Sequence, residues 1–482
     1  MSERHSAPIA RLSPRQTSLW VGLSAFALYV FTGSRTIQWQ DSGQFTLRIG
    51  LGLLENEWGL AMVHPLHFFL GQIAIRLFPA NIPWAVTGVS ALGGAITVAL
   101  VHACVQCATG RNSAAVYAAT SLMLAHTFWR FSGLPEVYTL SSALLMLQVY
   151  GLLKLQIDPD AWRLIALANG LSWANHNLAL LELAVLAPLF LMQWRRKRVT
   201  LALGFRSAGL WLIGSLPYTA LILRTMLRRQ SILPVLSSAL FGYEFSDAVL
   251  ATTPVWIYTA TTLAFVLLSF PGLSLLFTAL GIRHRFKTLS PVLALFLIHS
   301  LFVLRYNVID QYTFYIPALA LIAFFAGIGF HQVHRPLLQK TAWLLLLLQP
   351  LLYAVTPALV RTTGLLAPFE RHKPYRDDAN YLFHPWTLHE TSAARIADEA
   401  LTAAAPDGVL IIEDGMAVYA IQWKQFTRTL PDITLHRPAD FEAFHRAALQ
   451  GRPVIWIPAS TQQRAPQGWK PDGAVWRLNL TP

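Results

Sequence analysis

The chain has 482 residues, 54% of them hydrophobic and only 13% charged, with a formal net charge of +13. Soluble domains carry about 25% charged residues, so this balance excludes an ordinary soluble protein and points to repeated membrane crossings. The basic excess lies in short loops between apolar runs, which excludes a nucleic-acid binder and matches the positive-inside bias.

Residues 1–17 carry Arg4, Arg11 and Arg15 and read as a cytoplasmic N-terminus. The apolar run at 18–34 lacks a small-residue cleavage site and reads as a retained signal anchor. Further runs at 84–107, 113–130, 137–156, 161–175, 177–193, 201–223, 254–280, 288–304, 312–331 and 341–360 bring the expected total to about eleven crossings. No internal repeat is visible. Residues 64–79 (HPLHFFLGQIAIRLFP) are short for a span and read as a helix on or dipping into the membrane surface. Residues 161–193 as one helix would measure roughly 50 Å, against roughly 30 Å of hydrocarbon. The polar Asn175-His176-Asn177 in their middle favours two short spans. Cys104 and Cys107 form C-x-x-C inside an apolar helix, without a second pair or a βαβ setting, and read as packing residues rather than a metal or redox site.

With the N-terminus inside, the basic loops 194–198, 283–287 and 334–340 fall on the cytoplasmic side. Charge counting leaves one alternative open: if 64–79 crossed and 161–193 were one helix, the two changes would cancel. Residues 18–360 thus form a membrane domain with a first outer loop at 35–83, and residues 361–482 a tail outside. In the tail, TSAARIADEALTAAA has helical spacing, and GVLIIED and PVIWIP read as short buried strands. The alternation predicts a small α/β domain on a parallel-type sheet. GVLIIEDG lacks the glycine spacing and lysine of a phosphate loop.

This topology gathers the unusual polar residues on the outer side: Asp41 in WQDSGQF, His64, Glu136 in LPEVYTL, His176 in WANHNLAL, then Arg224, Arg228, Arg229 and Asp310. Each has a structural alternative. His64 and His67 suit an interfacial helix, His176 a buried packing site, and the three arginines suit snorkelling to headgroups. Asp310 and Glu136 suit helix N-termini, and Asp-Ser-Gly makes an ordinary turn.

QDSGQFTLRIGLGL followed by HPLHFFLGQIAIRLFP resembles the start of a bacterial membrane family related to the protein O-mannosyltransferases. FWRFSGLPEVYTL, GLSWANHNL, YNVIDQYTFYIP and YRDDANYLFHPW…SAARIADEAL resemble its later landmarks in the same order, from about residue 35 to about residue 440. The resemblance implies a multispanning glycosyltransferase of the GT-C class that takes mannose or another hexose from a polyprenyl phosphate. It further implies a protein or envelope-glycan acceptor and an active site that faces outward, into the periplasm of a bacterial inner membrane. It implies that Asp41, in the first outer loop, is the catalytic group. Two departures stand out: Gln44 replaces the family's usual Glu, and His-Pro-Pro-Gly-Tyr-Pro has become HPLHFF.

Such a donor already carries a good leaving group. What remains is to take a proton from the acceptor hydroxyl, a task for one carboxylate, and to stabilise the departing phosphate, a task for cations. Asp41 is the expected base, and Glu136 the group that orients the acceptor or tunes Asp41. Arg224, Arg228 and Arg229, together with Arg48 and Arg305, are candidate phosphate ligands. His64 and His176 are candidates for sugar or phosphate contacts, and Asp310 completes the set. No cofactor is required. The Asp, Glu and His residues would accept a divalent metal, but no ligand spacing indicates one. The alternatives are a GT-C enzyme acting on a lipid or envelope polysaccharide, a multispanning transporter, and a non-catalytic relative.

Overall fold

A computed structural model describes residues 12–364, 366–438, 447–448, 450–464 and 467–478. Most of the expected cytoplasmic N-terminus, residues 1–11, lies outside them. The first helix, Pro14–Thr32, opens on a capping box: Ser13 accepts from the Gln16 backbone and Gln16 reaches back to Ser13. Asn81 caps Ile82–Thr109 and Thr200 caps Leu201–Arg229 with one side-chain bond each.

Helices stand at the expected positions, but several apolar runs are broken. Two helices among the described residues, Ile82–Thr109 and Leu201–Arg229, are individually long and apolar enough to cross a bilayer. The run at 254–280 is instead the pair Trp256–Ser269 and Ser274–Arg285, bent by 97°, and the run at 341–360 is Pro336–Leu347 and Gln349–Thr363, bent by 52°. Counting each bent pair as one span raises the number to four. The run at 113–130 breaks at Leu124-Ala125 into Asn112–Met123 and His126–Ser132. Residues 161–193 are two helices, Ala161–Asn175 and Ala179–Arg195, separated at His176. Residues 64–79 contain one helix, Pro65–Leu77. Apolar side chains such as Leu19, Trp20, Leu223, Leu227, Leu337 and Leu344 are more than half exposed on the outside of the bundle, the pattern of a lipid-facing surface.

Small residues let the bundle close. A Cβ on Gly329 would lie 1.8 Å from the Phe277 carbonyl oxygen, and one on Gly281 would lie 2.1 Å from that of Phe325. These reciprocal contacts draw Ser274–Arg285 against Ile316–Gln332, whose residues from Ile316 to Phe330 are all buried. Gly170 and Gly214 do the same for Ala161–Asn175 and Leu201–Arg229, facing the carbonyls of Trp211 and Leu167. Close backbone approach at small residues is how helices gain contact where lipid is the solvent. Cys104 is buried, Cys107 is exposed, and both are free thiols.

The tail folds around one five-stranded sheet of order β2-β1-β3-β5-β4, with β1 Val409–Ile412, β2 Thr434–His436, β3 Val454–Ile457, β4 Trp469–Asp472 and β5 Val475–Leu478. β1 pairs in parallel with β2 and β3, whereas β3–β5 and β4–β5 are antiparallel. The sheet is therefore mixed, not parallel-type. The two apolar runs form its centre, and a polar hairpin that carries no buried-strand pattern adds its other edge. Helices Ser392–Ala404 and Val418–Thr427 pack on it. Their core also takes in Ile37, Trp39 and Leu47 from the first loop. Trp39 Nε1 donates to Ser392 Oγ at 2.8 Å, and Gln38 Nε2 to the Glu390 carbonyl at 2.9 Å. The first loop and the tail thus share one hydrophobic core and lie on the same side of the bundle.

Candidate active site

The stretch around Asp41 begins as a strained turn. Gln40 sits at φ 49°, in the left-handed region, and its N–H donates to the Met416 carbonyl of the tail at 3.0 Å. A non-glycine residue held there costs on the order of 1–3 kcal/mol, which the surrounding contacts offset. A helix follows, Gln40–Leu51, with Asp41 in its first turn and Gly52 closing it in the left-handed conformation. His64 is the second such residue, at φ 51°, and leads into Pro65–Leu77.

Asp41 and His64 line one cavity of about 360 Å³. Its walls come from three distant parts of the chain: Gln44, Phe45, Trp58 and Met62 from the first loop, Glu244 and Phe245 from the middle, and Gly415, Met416 and Tyr419 from the tail. Asp41 opens to this space, and its carboxylate has no hydrogen-bond partner among the described residues. Asp41 stays accessible through this opening, but the protein packed around its carboxylate raises it to about 7, and the Asp310 carboxylate adds to the rise. Glu136, in the turn before Tyr138–Lys154, is raised by burial and then by Asp41. Its Oε1 accepts from Ser42 Oγ at 2.8 Å, which ties the residue next to Asp41. Asp310 is likewise raised by burial. Three carboxyl groups from three segments therefore meet here, and only Asp41 faces the cavity.

The two histidines are also brought together. His64 and His176 stack with ring centroids 5.0 Å apart and planes 14° from parallel. His64 Nδ1 lies 2.8 Å from the Asn175 carbonyl. A carbonyl only accepts, so Nδ1 carries the proton and Nε2 keeps a lone pair. Burial holds this imidazole down at about 4, so it is neutral at physiological pH. His176 Nδ1 accepts from the Leu178 N–H at 3.1 Å, which places its proton on Nε2. Of the two, His64 lines the cavity and His176 stacks behind it.

The arginines do not converge. Arg48 is buried and its three nitrogens donate to the carbonyls of Leu54, Glu55, Met62 and Val63, with the shortest contact 2.5 Å. It braces the loop instead of facing a ligand. Arg305 Nη1 donates to the Val249 and Ala251 carbonyls at 2.7 and 2.6 Å. Arg228 pairs with Glu55 at 3.6 Å on the surface, which sets the basic end of Leu201–Arg229 beside the first loop. Arg224 and Arg229 are exposed there, with no ion pair among the described residues.

Gln44 explains what stands in place of the family's Glu. Its Nε2 donates to Tyr419 Oη at 2.7 Å, and its Oε1 accepts from Asn56 Nδ2 at 3.0 Å. Trp58 Nε1 also donates to Tyr419 Oη at 2.9 Å, and Tyr419 donates its one proton to Glu57 at 2.7 Å. Tyr419, Trp58 and Glu57 carried no signal in the sequence. Among the described residues, no group of three or more His, Cys, Asp or Glu side chains is arranged to hold a metal ion.

Comparison with known proteins adds to this geometry. Residues 61–200 match the protein O-mannosyl-transferase TMEM260 N-terminal domain; the match includes His64, Glu136 and His176 and begins after Asp41. No match is found among curated protein sequences. The fold is similar to that of ArnT from Cupriavidus metallidurans bound to undecaprenyl phosphate, with 12% identity and a TM-score of 0.62 over 92% of this chain and 94% of that one. It is similar to the apo form of the same protein at 14% identity and a TM-score of 0.60, over 92% of both chains. A weaker likeness, at a TM-score of 0.48 and 13% identity, covers 91% of this chain and 69% of the Archaeoglobus fulgidus oligosaccharyltransferase. Residues 61–200 are thus similar to an O-mannosyl-transferase domain, and the chain as a whole shares the helical membrane fold of ArnT.

Proposed function

We propose that the protein transfers mannose or another hexose from a polyprenyl-phosphate carrier to an acceptor hydroxyl on the outer side of the membrane, with Asp41 as general base. The observation that carries this reading is the unpartnered Asp41 carboxylate at the cavity wall, poised near 7 with Glu136 and Asp310 behind it. A base works best with a pKa near the operating pH. In this reading residues 1–17 are cytoplasmic, and the first loop 35–83 and residues 361–482 face outward. Their shared core supports placing loop and tail together.

Asp41 takes the proton of the acceptor hydroxyl as that oxygen bonds to the anomeric carbon. The bond from that carbon to the phosphate oxygen breaks, and the electron pair leaves with the phosphate. One displacement inverts the anomeric centre. Glu136 holds Ser42 and thereby the first turn of the base's helix. The His64 lone pair contacts sugar or acceptor hydroxyls, with His176 stacked behind it. Arg224 and Arg229, on the helix end beside the first loop, are the cations left to meet the phosphate, while Arg48 and Arg305 hold backbone. The solved ArnT with undecaprenyl phosphate supports the carrier class.

The test is mass spectrometry of periplasmic proteins and envelope glycans from a deletion strain, complemented with wild type or Asp41→Asn. The proposal expects a hexose missing from a defined acceptor, restored by wild type and not by Asp41→Asn. Whether that acceptor is a protein or an envelope polysaccharide appears in the same spectra. Restoration by Asp41→Asn overturns the assignment of the base.

A further inference from the structure

The helix that carries Asp41 is seated on the tail. Gly43 and Gly50, seven residues apart, form one stripe of Gln40–Leu51, and Tyr419 and Trp423, four apart, form one stripe of Val418–Thr427. A Cβ on Gly43 would be in ordinary contact with Tyr419 Cβ at 3.4 Å, its close neighbour being the Gln38 carbonyl oxygen; one on Gly50 would lie 2.4 Å from Trp423 Cζ3 and 2.9 Å from its Cη2. The helices approach so closely at this point because Gly50 has no side chain. Trp423 is buried, so its ring has no room to yield.

Two polar devices fix the same seat. At the carboxyl end of β1, the Met416 carbonyl receives the Gln40 N–H immediately before Asp41. Met416 N in turn donates to Asp414 Oδ1 at 3.1 Å, and that oxygen is paired with Lys373 Nζ at 2.8 Å. One helical turn along, Tyr419 Oη has both lone pairs and its proton engaged, by Gln44, Trp58 and Glu57. A hydroxyl with three partners is held in one place.

We propose that the loop 413–417 and the helix Val418–Thr427 of the tail position the catalytic carboxylate, with Tyr419 and Trp423 as the positioning residues. The inference rests on Asp41 being the base. The tail is then a structural part of the catalytic centre. Loss of its contacts lowers turnover while leaving donor binding largely intact, because a base displaced by about 1 Å costs on the order of 10²-fold.

The experiment uses the full chain reconstituted in vesicles, with polyprenyl-phosphate mannose as donor and envelope extract of the deletion strain as acceptor. Gly50→Ala is expected to lower the saturating rate by about tenfold or more while the half-saturating donor concentration moves less than about threefold. Trp423→Phe introduced into that variant shortens the opposing ring and brings the rate back toward wild type, above either single variant. Tyr419→Phe, which removes one oxygen and hardly any volume, is expected to lower the saturating rate similarly; it decides the matter should Gly50→Ala fail to accumulate. Wild-type rates in Gly50→Ala and Tyr419→Phe, with Asp41→Asn inactive, overturn the positioning role and leave the base standing. Full activity in Asp41→Asn removes the base and this inference with it.

Discussion

Replacing Lys373 with methionine removes the cation from a pair whose side chains are 6% and 5% exposed and 2.8 Å apart. At that separation two unit charges attract by about 6 kcal/mol at an effective dielectric constant of about 20. Desolvation offsets part of this, and breaking one side of a buried pair costs about 3–5 kcal/mol. Asp414 would be left buried with little beyond the Met416 N–H, and the Ala459 carbonyl would lose its 2.8 Å donor. At 1.4 kcal/mol per decade, the opened population of the tail rises by roughly 10²–10⁴-fold. Pulse proteolysis of the purified full chain across a urea series reads this directly, as cleavage within the tail at lower urea. A second variant sharpens the argument. Lys373→Met with Asp414→Leu replaces both charges by apolar groups and regains most of the protease resistance. Transfer activity returns only in part, because the Met416 N–H has lost its acceptor. Unchanged resistance in Lys373→Met, or no recovery in the double variant, would refute the account of this loop.

Three further outcomes follow from the site and the bundle. The turnover rate falls as pH drops through about 7, with one proton taken up, because Asp41 is raised to about 7 and works only when ionised; Asp310→Asn removes a like charge and shifts that limb to lower pH in a pH–rate series. Gln44→Glu gives Tyr419 two carboxylates for its single proton and withdraws the amide donor 2.7 Å away, so turnover falls by about an order of magnitude, and pairing with Glu57→Gln recovers part of it. Gly329→Ala, whose Cβ would meet the Phe277 carbonyl oxygen at 1.8 Å, forces two packed helices apart and costs at least about 1–3 kcal/mol, measured as a lower thermal transition in detergent, while Gly88→Ala, inside the helix Ile82–Thr109 and with no atom within 4 Å of the added Cβ, stays at or above the wild-type value.

The sequence made Asp41 conspicuous because a carboxylate beside a long apolar run needs a reason to be there, and the family resemblance gave one. The two strands at 409–412 and 454–457 were legible as short apolar runs, and the polar break at His176 separated two helices as expected. Other features depend on contacts that a linear reading does not contain. Tyr419 meets Glu57 across 362 positions and Gln44 across 375. Arg48 reads as a free cation because its partners are carbonyls, which every residue has. The hairpin of β4 and β5 is mostly exposed at β4 and carries no alternation. The kinks at 270–273 and 348 interrupt continuous apolar runs, so hydropathy merges what the backbone divides.

The central claim is that Asp41 removes the acceptor proton. Its most direct test is the single-turnover rate of hexose transfer from a polyprenyl-phosphate donor by wild type and Asp41→Asn, each at saturating donor. The account predicts a fall of about 10²–10⁴-fold in Asp41→Asn, with donor affinity kept and no remaining pH limb near 7. A rate within about threefold of wild type, with the limb intact, would contradict it.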